Sequence, residues 1–410
     1  MTNITKKPFF LLCKKVAERL KLRHIIIIGF LFRIAALTAM PNNQFPDSHT
    51  YIKAGAQLFE NGVIVKHNVM PLYPILCGIL NNFLLIKIAD ILFSVLTIYI
   101  IYQLSYIIFK KKTSALLSAF IAAVYPFFNF YATAALTETS YTLLLVSAFY
   151  MLYRQKFIIG AILLILSILE RPTLDFAAPL IIFIFAYFVH KRSLSYSIKI
   201  VSYYIVIYIL LFCPWWLHQY NKYDKFIRMN LADGIAWYSG NNPLNQSGSG
   251  VASDNGKPAD VDFSLFAKIK DPYKQNQAMK KEAFDFIINN PDRFIKLAAL
   301  KFCRLWRLYP YAPEYEKPLY IIISVTSYGS VLLFFLLSTA SFIFIKKNRV
   351  FSKKLLPVFF LITYFTLVHM VLISSLRYRF PIEPFLIIIA SYGFIFLFNK
   401  ITKHNDQKAE

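Results

Sequence analysis

The sequence predicts an all-α polytopic membrane protein of about ten transmembrane helices, with juxtamembrane helices in a first outer loop and a mixed outer loop domain. Three observations lead there. The 410 residues are 57% hydrophobic and 17% aromatic, with a mean hydropathy of +0.51, too apolar for a soluble chain to hide in one core. Apolar runs of span length recur from end to end without the alternation of a β-barrel. Between them stand short clusters of Lys and Arg, so the net charge of +24 reads as membrane anchoring and orientation and not as a nucleic-acid surface.

Spans are expected at 24–40, 86–109, 114–130, 139–153, 157–169, 174–189, 198–217, 319–345, 355–373 and 382–398. The basic stretch Lys6, Lys7, Lys14 and Lys15 before the first run resembles a signal peptide, but Arg33 inside the run favours an uncleaved helix. Clusters at 110–112, 154–156, 191–192, 346–354 and 400–403 go to the cytoplasm by the positive-inside rule, with both termini. The outer face of an inner (plasma) membrane then receives 41–70, 133–139, 170–173, 219–317 and 374–379. Parity allows a single crossing between Pro71 and Phe109, so 71–85 is expected as a juxtamembrane or re-entrant piece. Three units follow: 1–218 with the first outer loop 41–85, the outer domain 219–317, and 318–410. Within 219–317 the run Ser239-Gly240-Asn241-Asn242-Pro243 to Gly250 reads as loop, and 280–289 and 291–308 as amphipathic helices. Cys13, Cys77, Cys213 and Cys303 are too scattered for a metal or disulfide motif.

Charged residues at the outer ends of spans are the candidates for chemistry. Asp47, in Pro46-Asp47-Ser48, places a carboxylate at the membrane surface, suited to a general base for a hydroxyl; the competing reading is a cap for a helix starting near Thr50. Glu138 ends an apolar hairpin and calls for a cavity or a partner, or else is a solvated loop acid. Arg171, Arg377 and Arg379 defy the positive-inside rule and suit an anionic group, with the Tyr378 hydroxyl beside them; the alternative is snorkelling to lipid headgroups. Arg33, Lys87 and Asp90 read as an internal ion-pair set.

Seven short motifs, in order along the chain, resemble the GT-C superfamily of membrane glycosyltransferases, in its family-39-like bacterial branch related to the aminoarabinose transferase and the protein O-mannosyltransferases. They are Asp47-Ser48-His49-Thr50-Tyr51, Pro71-Leu72-Tyr73-Pro74, Thr137-Glu138, Arg171-Pro172-Thr173, Pro214-Trp215-Trp216, Tyr238 to Pro243, and Arg377-Tyr378-Arg379 with Pro381. The resemblance implies an inverting sugar transfer from a polyprenyl-phosphate donor to a hydroxyl on a lipid, glycan or protein. Asp47 would be the base; Arg377, Tyr378, Arg379 and Arg171 would hold the donor phosphate. Glu138, His49, Tyr51, Tyr73 and Asn241 would meet sugar or acceptor. Many relatives carry two adjacent acids where this chain has Asp47, Ser48 and His49, which argues against a divalent metal there, and no other cofactor is implied. Relatives also commonly carry Arg after the Trp pair, where this chain has His218. A lipid-linked oligosaccharide ligase or polymerase is the nearest rival reading. A flippase or transporter is more distant, since no internal repeat is visible.

Overall fold

The computed structural model describes residues 21–250, 260–310, 317–345 and 348–407. The basic residues Lys6, Lys7, Lys14, Lys15 and Lys346 lie outside them. Every regular element among the described residues is helical.

Six segments are long and apolar enough to cross a membrane. They are α1 (Leu22–Ala39), α4 (Phe83–Phe109), α10 (Leu194–Tyr223), α14 (Pro318–Phe344), α15 (Val350–Val371) and the segment Leu376–Lys400, formed by the short α16 (Leu376–Arg379) and the long α17 (Glu383–Gln407). Shorter helices pack among them: α5 (Lys112–Val124), α6 (Pro126–Tyr131), α7 (Thr137–Tyr153), α8 (Phe157–Glu170) and α9 (Ala177–Ile184), which runs on as a π turn to Val189. α7 and α8 form an antiparallel hairpin, α4 packs on α5 and α7, and α14 packs on α17. The chain is therefore an integral membrane protein.

The single span expected over 114–130 is broken in two. Pro126 lacks an N–H, so it cannot donate to the Ala122 carbonyl, and α5 ends at Val124. Arg33 supplies the missing donors. It is fully buried in α1, with Nη1 donating to Ala123 O at 3.2 Å and Gly29 O at 2.9 Å, Nη2 to Ala122 O at 3.4 Å, and Nε to Ser94 Oγ at 2.7 Å. The expected ion-pair set of Arg33, Lys87 and Asp90 does not form. Arg33 takes carbonyls, Lys87 donates to Pro41 O at 2.8 Å, and Asp90 accepts from the Tyr73 hydroxyl at 2.7 Å. Free helix-end carbonyls out of reach of water compete for a guanidinium as well as a carboxylate does.

The segment between α1 and α4 forms two helices, α2 (Pro46–Asn61) and α3 (Leu72–Leu80). They meet backbone to backbone at Gly55, where an added Cβ would stand 2.4 Å from Pro74 O. Between α10 and α14 lie α11 (Asp233–Gly240), α12 (Pro272–Asn289) and α13 (Pro291–Trp306). α12 starts eight residues before the helix expected at 280–289, because the Asp271 carboxylate caps Tyr273 N and Lys274 N ahead of Pro272. α13 packs on α15 and α16.

Replacing Arg33 by Leu leaves the Ala122 and Ala123 carbonyls without donors. We expect a loss of about 2–4 kcal/mol, read as a lowered thermal unfolding midpoint of the purified protein in detergent, with Ser94→Ala costing less.

Candidate functional site

Four connections meet at one end of the bundle, and each contributes one charged side chain. Asp47 stands at the second position of α2, after Pro46. It does not cap that helix, which begins at Pro46 and not near Thr50; Ser48 takes the capping role, accepting from Phe45 N at 3.1 Å and donating to Ala134 O at 2.8 Å. Asn43 adds a second tie, donating to Phe130 O at 3.1 Å and Thr133 Oγ1 at 3.0 Å. The start of α2 is thus stitched to the turn that leads into α7, whose second residue is Glu138. Arg171 follows the last residue of α8 and is held there by the turn starting at Pro172. Arg377 lies in α16, after the extended stretch through Ser375.

The Glu138 carboxylate is completely buried and receives both arginines: Arg171 Nη1 at 2.6 Å, and Arg377, whose Nε and Nη2 both donate to it. Arg377 Nη1 also reaches Asp47 Oδ2 at 2.6 Å, so one guanidinium bridges two acids. Glu138 is sealed, whereas the Asp47 side chain is 50% exposed and the arginines 24% and 17%. The cluster is open on the Asp47 side and closed beneath. Its four charges sum to zero, so an entering anion would exchange with a carboxylate for the arginines.

Two aromatic rings border the cluster. Tyr378 stacks on His369 with centroids 4.5 Å apart, and the Arg171 guanidinium lies 5.8 Å from the Tyr378 ring. Tyr51 packs edge-on against Tyr73 at 5.4 Å. Burial raises the Tyr51 phenol above its ordinary value against the opposing pull of Arg377 and Arg171, so it stays a neutral donor.

The other sequence-predicted residues lie elsewhere. Arg379 is fully buried: it pairs with Glu383 at 2.8 Å, donates to the carbonyls of Leu305 and Arg307 at 2.9 and 2.8 Å, and lies over the Tyr328 ring. That is a brace between α17 and the end of α13, and it turns Arg379 away from the cluster. Asn241 is also fully buried, donating to Trp237 O and Val371 O and accepting from Lys301 Nζ at 3.0 Å. Tyr73 spends its hydroxyl on Asp90. His49 is exposed and stacks on Phe83. His218, which replaces an expected arginine, stacks on Trp215.

Two supporting residues escaped the sequence reading. His369 sits inside an apolar run that gives it no distinction. Lys301 was legible in principle, because it falls between Leu297 and Leu305 at four-residue spacing on the apolar stripe of α13. It donates to Asn241 Oδ1 and to Val371 O at 3.1 Å, and its own carbonyl accepts from Ser374 Oγ at 2.7 Å. Lys301 therefore locks α11, α13 and the end of α15 together just before the strand of chain that carries Arg377. Burial lowers its pKa from 10.5 to about 7.

Two outcomes follow. Glu138→Gln leaves the largely buried Arg171 without a counter-ion and Arg377 with only the half-exposed Asp47, and should cost about 3–5 kcal/mol of stability, whereas Asp47→Asn should cost under about 1 kcal/mol; thermal unfolding compares them. With the folded Lys301 pKa below the unfolded one, the unfolded chain binds more protons between about pH 7 and 10, so stability rises with pH across that window. Lys301→Met should flatten that rise in unfolding midpoints taken from pH 7 to 9.

No family model and no curated protein matches the sequence. Similarity appears in the fold. The archaeal oligosaccharyltransferase AglB from Archaeoglobus fulgidus, solved in complex with an inhibitory peptide and a dolichol-phosphate, matches over 95% of this chain with a TM-score of 0.56 at 13% identity. An apo form of the oligosaccharyltransferase of that organism matches over 94% with a TM-score of 0.52, also at 13% identity. The chain spans about half the length of these neighbours, covering 51% and 52% of them. The helical arrangement of the chain is thus shared with these oligosaccharyltransferases and is GT-C-like.

Proposed function

We propose that this chain is an inverting glycosyltransferase that moves a sugar from a polyprenyl-phosphate donor to a hydroxyl acceptor at the non-cytoplasmic face of the membrane. The observation that carries the reading is the double contact of Arg377. A single guanidinium holds the half-exposed Asp47 and the buried Glu138, so a candidate base and candidate phosphate-binding cations form one unit at the bundle end. Support for a lipid-phosphate donor comes from the dolichol-phosphate in the complex of the archaeal neighbour.

In this scheme the acceptor oxygen attacks the anomeric carbon from the face opposite the phosphate. The new C–O bond forms as the bond to the phosphate oxygen breaks, and Asp47 takes the acceptor proton. Negative charge then grows on the departing lipid phosphate, where Arg377 and Arg171 stabilise it. Glu138 holds the two guanidiniums in a fixed pose, so little reorganisation accompanies the reaction. Tyr378, propped by His369, offers its hydroxyl to the same phosphate. The segment 219–317 serves as the acceptor domain, set on the core through Lys301.

Asp47→Asn should lower sugar transfer in vesicles supplied with polyprenyl-phosphate sugars by about 10²–10⁴-fold, with insertion and stability intact. Arg377→Ala should also abolish transfer, and it should release Asp47 as well. Full transfer by Asp47→Asn would refute the role given to that residue.

A further inference from the structure

Away from the charge cluster, on the flank where the end of α1 meets the start of α4, lies an open cavity of about 450 Å³ whose lining includes Asn42, Gln44, Asn82, Phe83, Leu84 and Lys87. The Lys87 side chain is buried, and its ammonium touches one neutral carbonyl, Pro41 O, and lies 4.8 Å from the Phe83 ring. Among the described residues no carboxylate pairs with it; Asp90, one turn further along, is committed to Tyr73. A buried ammonium whose partners are one neutral carbonyl and one ring face has no counter-charge, an arrangement that an anion relieves.

Three further features point to the same kind of ligand. The cavity opens at the N-terminus of a 27-residue helix, where Asn82 Oδ1 already accepts from Leu84 N and Leu85 N and the macrodipole still favours negative charge. The side chains of Asn42 and Gln44 stand exposed at the rim, with amide N–H groups to offer. Below the rim, Leu84, Ile88 and Leu92 form an exposed apolar strip along α4, at 54%, 38% and 54% exposure, so an anion bound at Lys87 can carry a chain that runs down into the lipid. The wall is also continuous with the proposed catalytic helix, because His49 of α2 stacks on Phe83 with centroids 6.3 Å apart.

We infer that this cavity binds the phosphate of a membrane lipid. Lys87 is its counter-ion, the amides of Asn42 and Gln44 are hydrogen-bond donors, and the lipid chain lies on Leu84, Ile88 and Leu92. The shared chemistry is a lipid phosphate ester, carried equally by a bilayer phospholipid and by a polyprenyl phosphate. The site is independent of the roles proposed for Asp47 and Arg377.

The test uses the full chain in dodecyl maltoside micelles, which carry no phosphate. Binding of phosphatidylglycerol and of polyprenyl phosphate is read by native mass spectrometry in an Arg377→Ala background, which takes one of the two cations from the phosphate site proposed at the charge cluster and leaves Arg171 neutralised by Glu138. Lys87→Gln, which retains a donor for Pro41 O, should bind about tenfold more weakly, and Lys87→Arg should bind nearly as well as Lys87. Should Lys87→Gln fail to fold, the rim variant Asn42→Ala/Gln44→Ala should still weaken binding without lowering the unfolding temperature. Displacement of polyprenyl phosphate by phosphatidylglycerol assigns the site to any lipid phosphate, and failure to displace it assigns the site to the polyprenyl lipid. Unchanged binding in Lys87→Gln and in the rim variant, or equal binding of diacylglycerol, which has no phosphate, overturns the inference.

Discussion

The arrangement of this protein around its site depends on one buried carboxylate. Glu138 has no exposed surface, and it is tolerable inside the bundle end only because Arg171 and Arg377 both reach it. Each of those arginines belongs to a different connection, so satisfying Glu138 fixes the end of α8 and the start of the last span against α7 at once. Asp47 is then set by Arg377 from the far side. The half-exposed acid is the part of the unit free to meet a ligand, while the buried part holds the cations still.

The same physics recurs at helix ends throughout the chain. Helix-terminal carbonyls lack intrahelical partners, and in a bundle shielded from water another element must supply the donor. Arg33 does so for α5, Arg379 for the end of α13, and Lys301 for Val371 at the end of α15. Lys222 does so for the irregular stretch after α2, donating to Ile64 O and Val65 O at 2.6 and 2.7 Å. These long cations do more than anchor the chain to headgroups. They join elements that apolar packing alone would leave free to slide, and two of them, Lys301 and Arg379, bracket the short α16 that carries Arg377.

This use of cations explains why polar residues that stand together in the sequence part in the fold. Arg379 shares a tripeptide with Arg377, yet one side chain enters the cluster and the other enters the protein interior, because two residues apart on a helical turn point to nearly opposite sides. Asn241 sits in a run of turn formers, but its amide is consumed by backbone carbonyls and Lys301. Lys87 and Asp90, spaced for an ion pair, turn to different neighbours, and the lysine is left facing a cavity.

The sequence by itself determined the all-helical membrane class, most of the long spans, and the candidates Asp47, Glu138, Arg171 and Arg377, because apolar run length and misplaced charge are local signals. It also placed α13 well, from Pro291 and the amphipathic pattern. Only the tertiary structure decided which charges pair: Asp47 and Arg377 lie 330 residues apart, and no periodicity reports a contact between separate connections. It decided too that Pro126 breaks a span, since the cost of its missing N–H depends on whether a donor such as Arg33 stands nearby. Local pattern sets where the helices lie, but the demand of each buried charge and each open carbonyl for a partner is met across the fold.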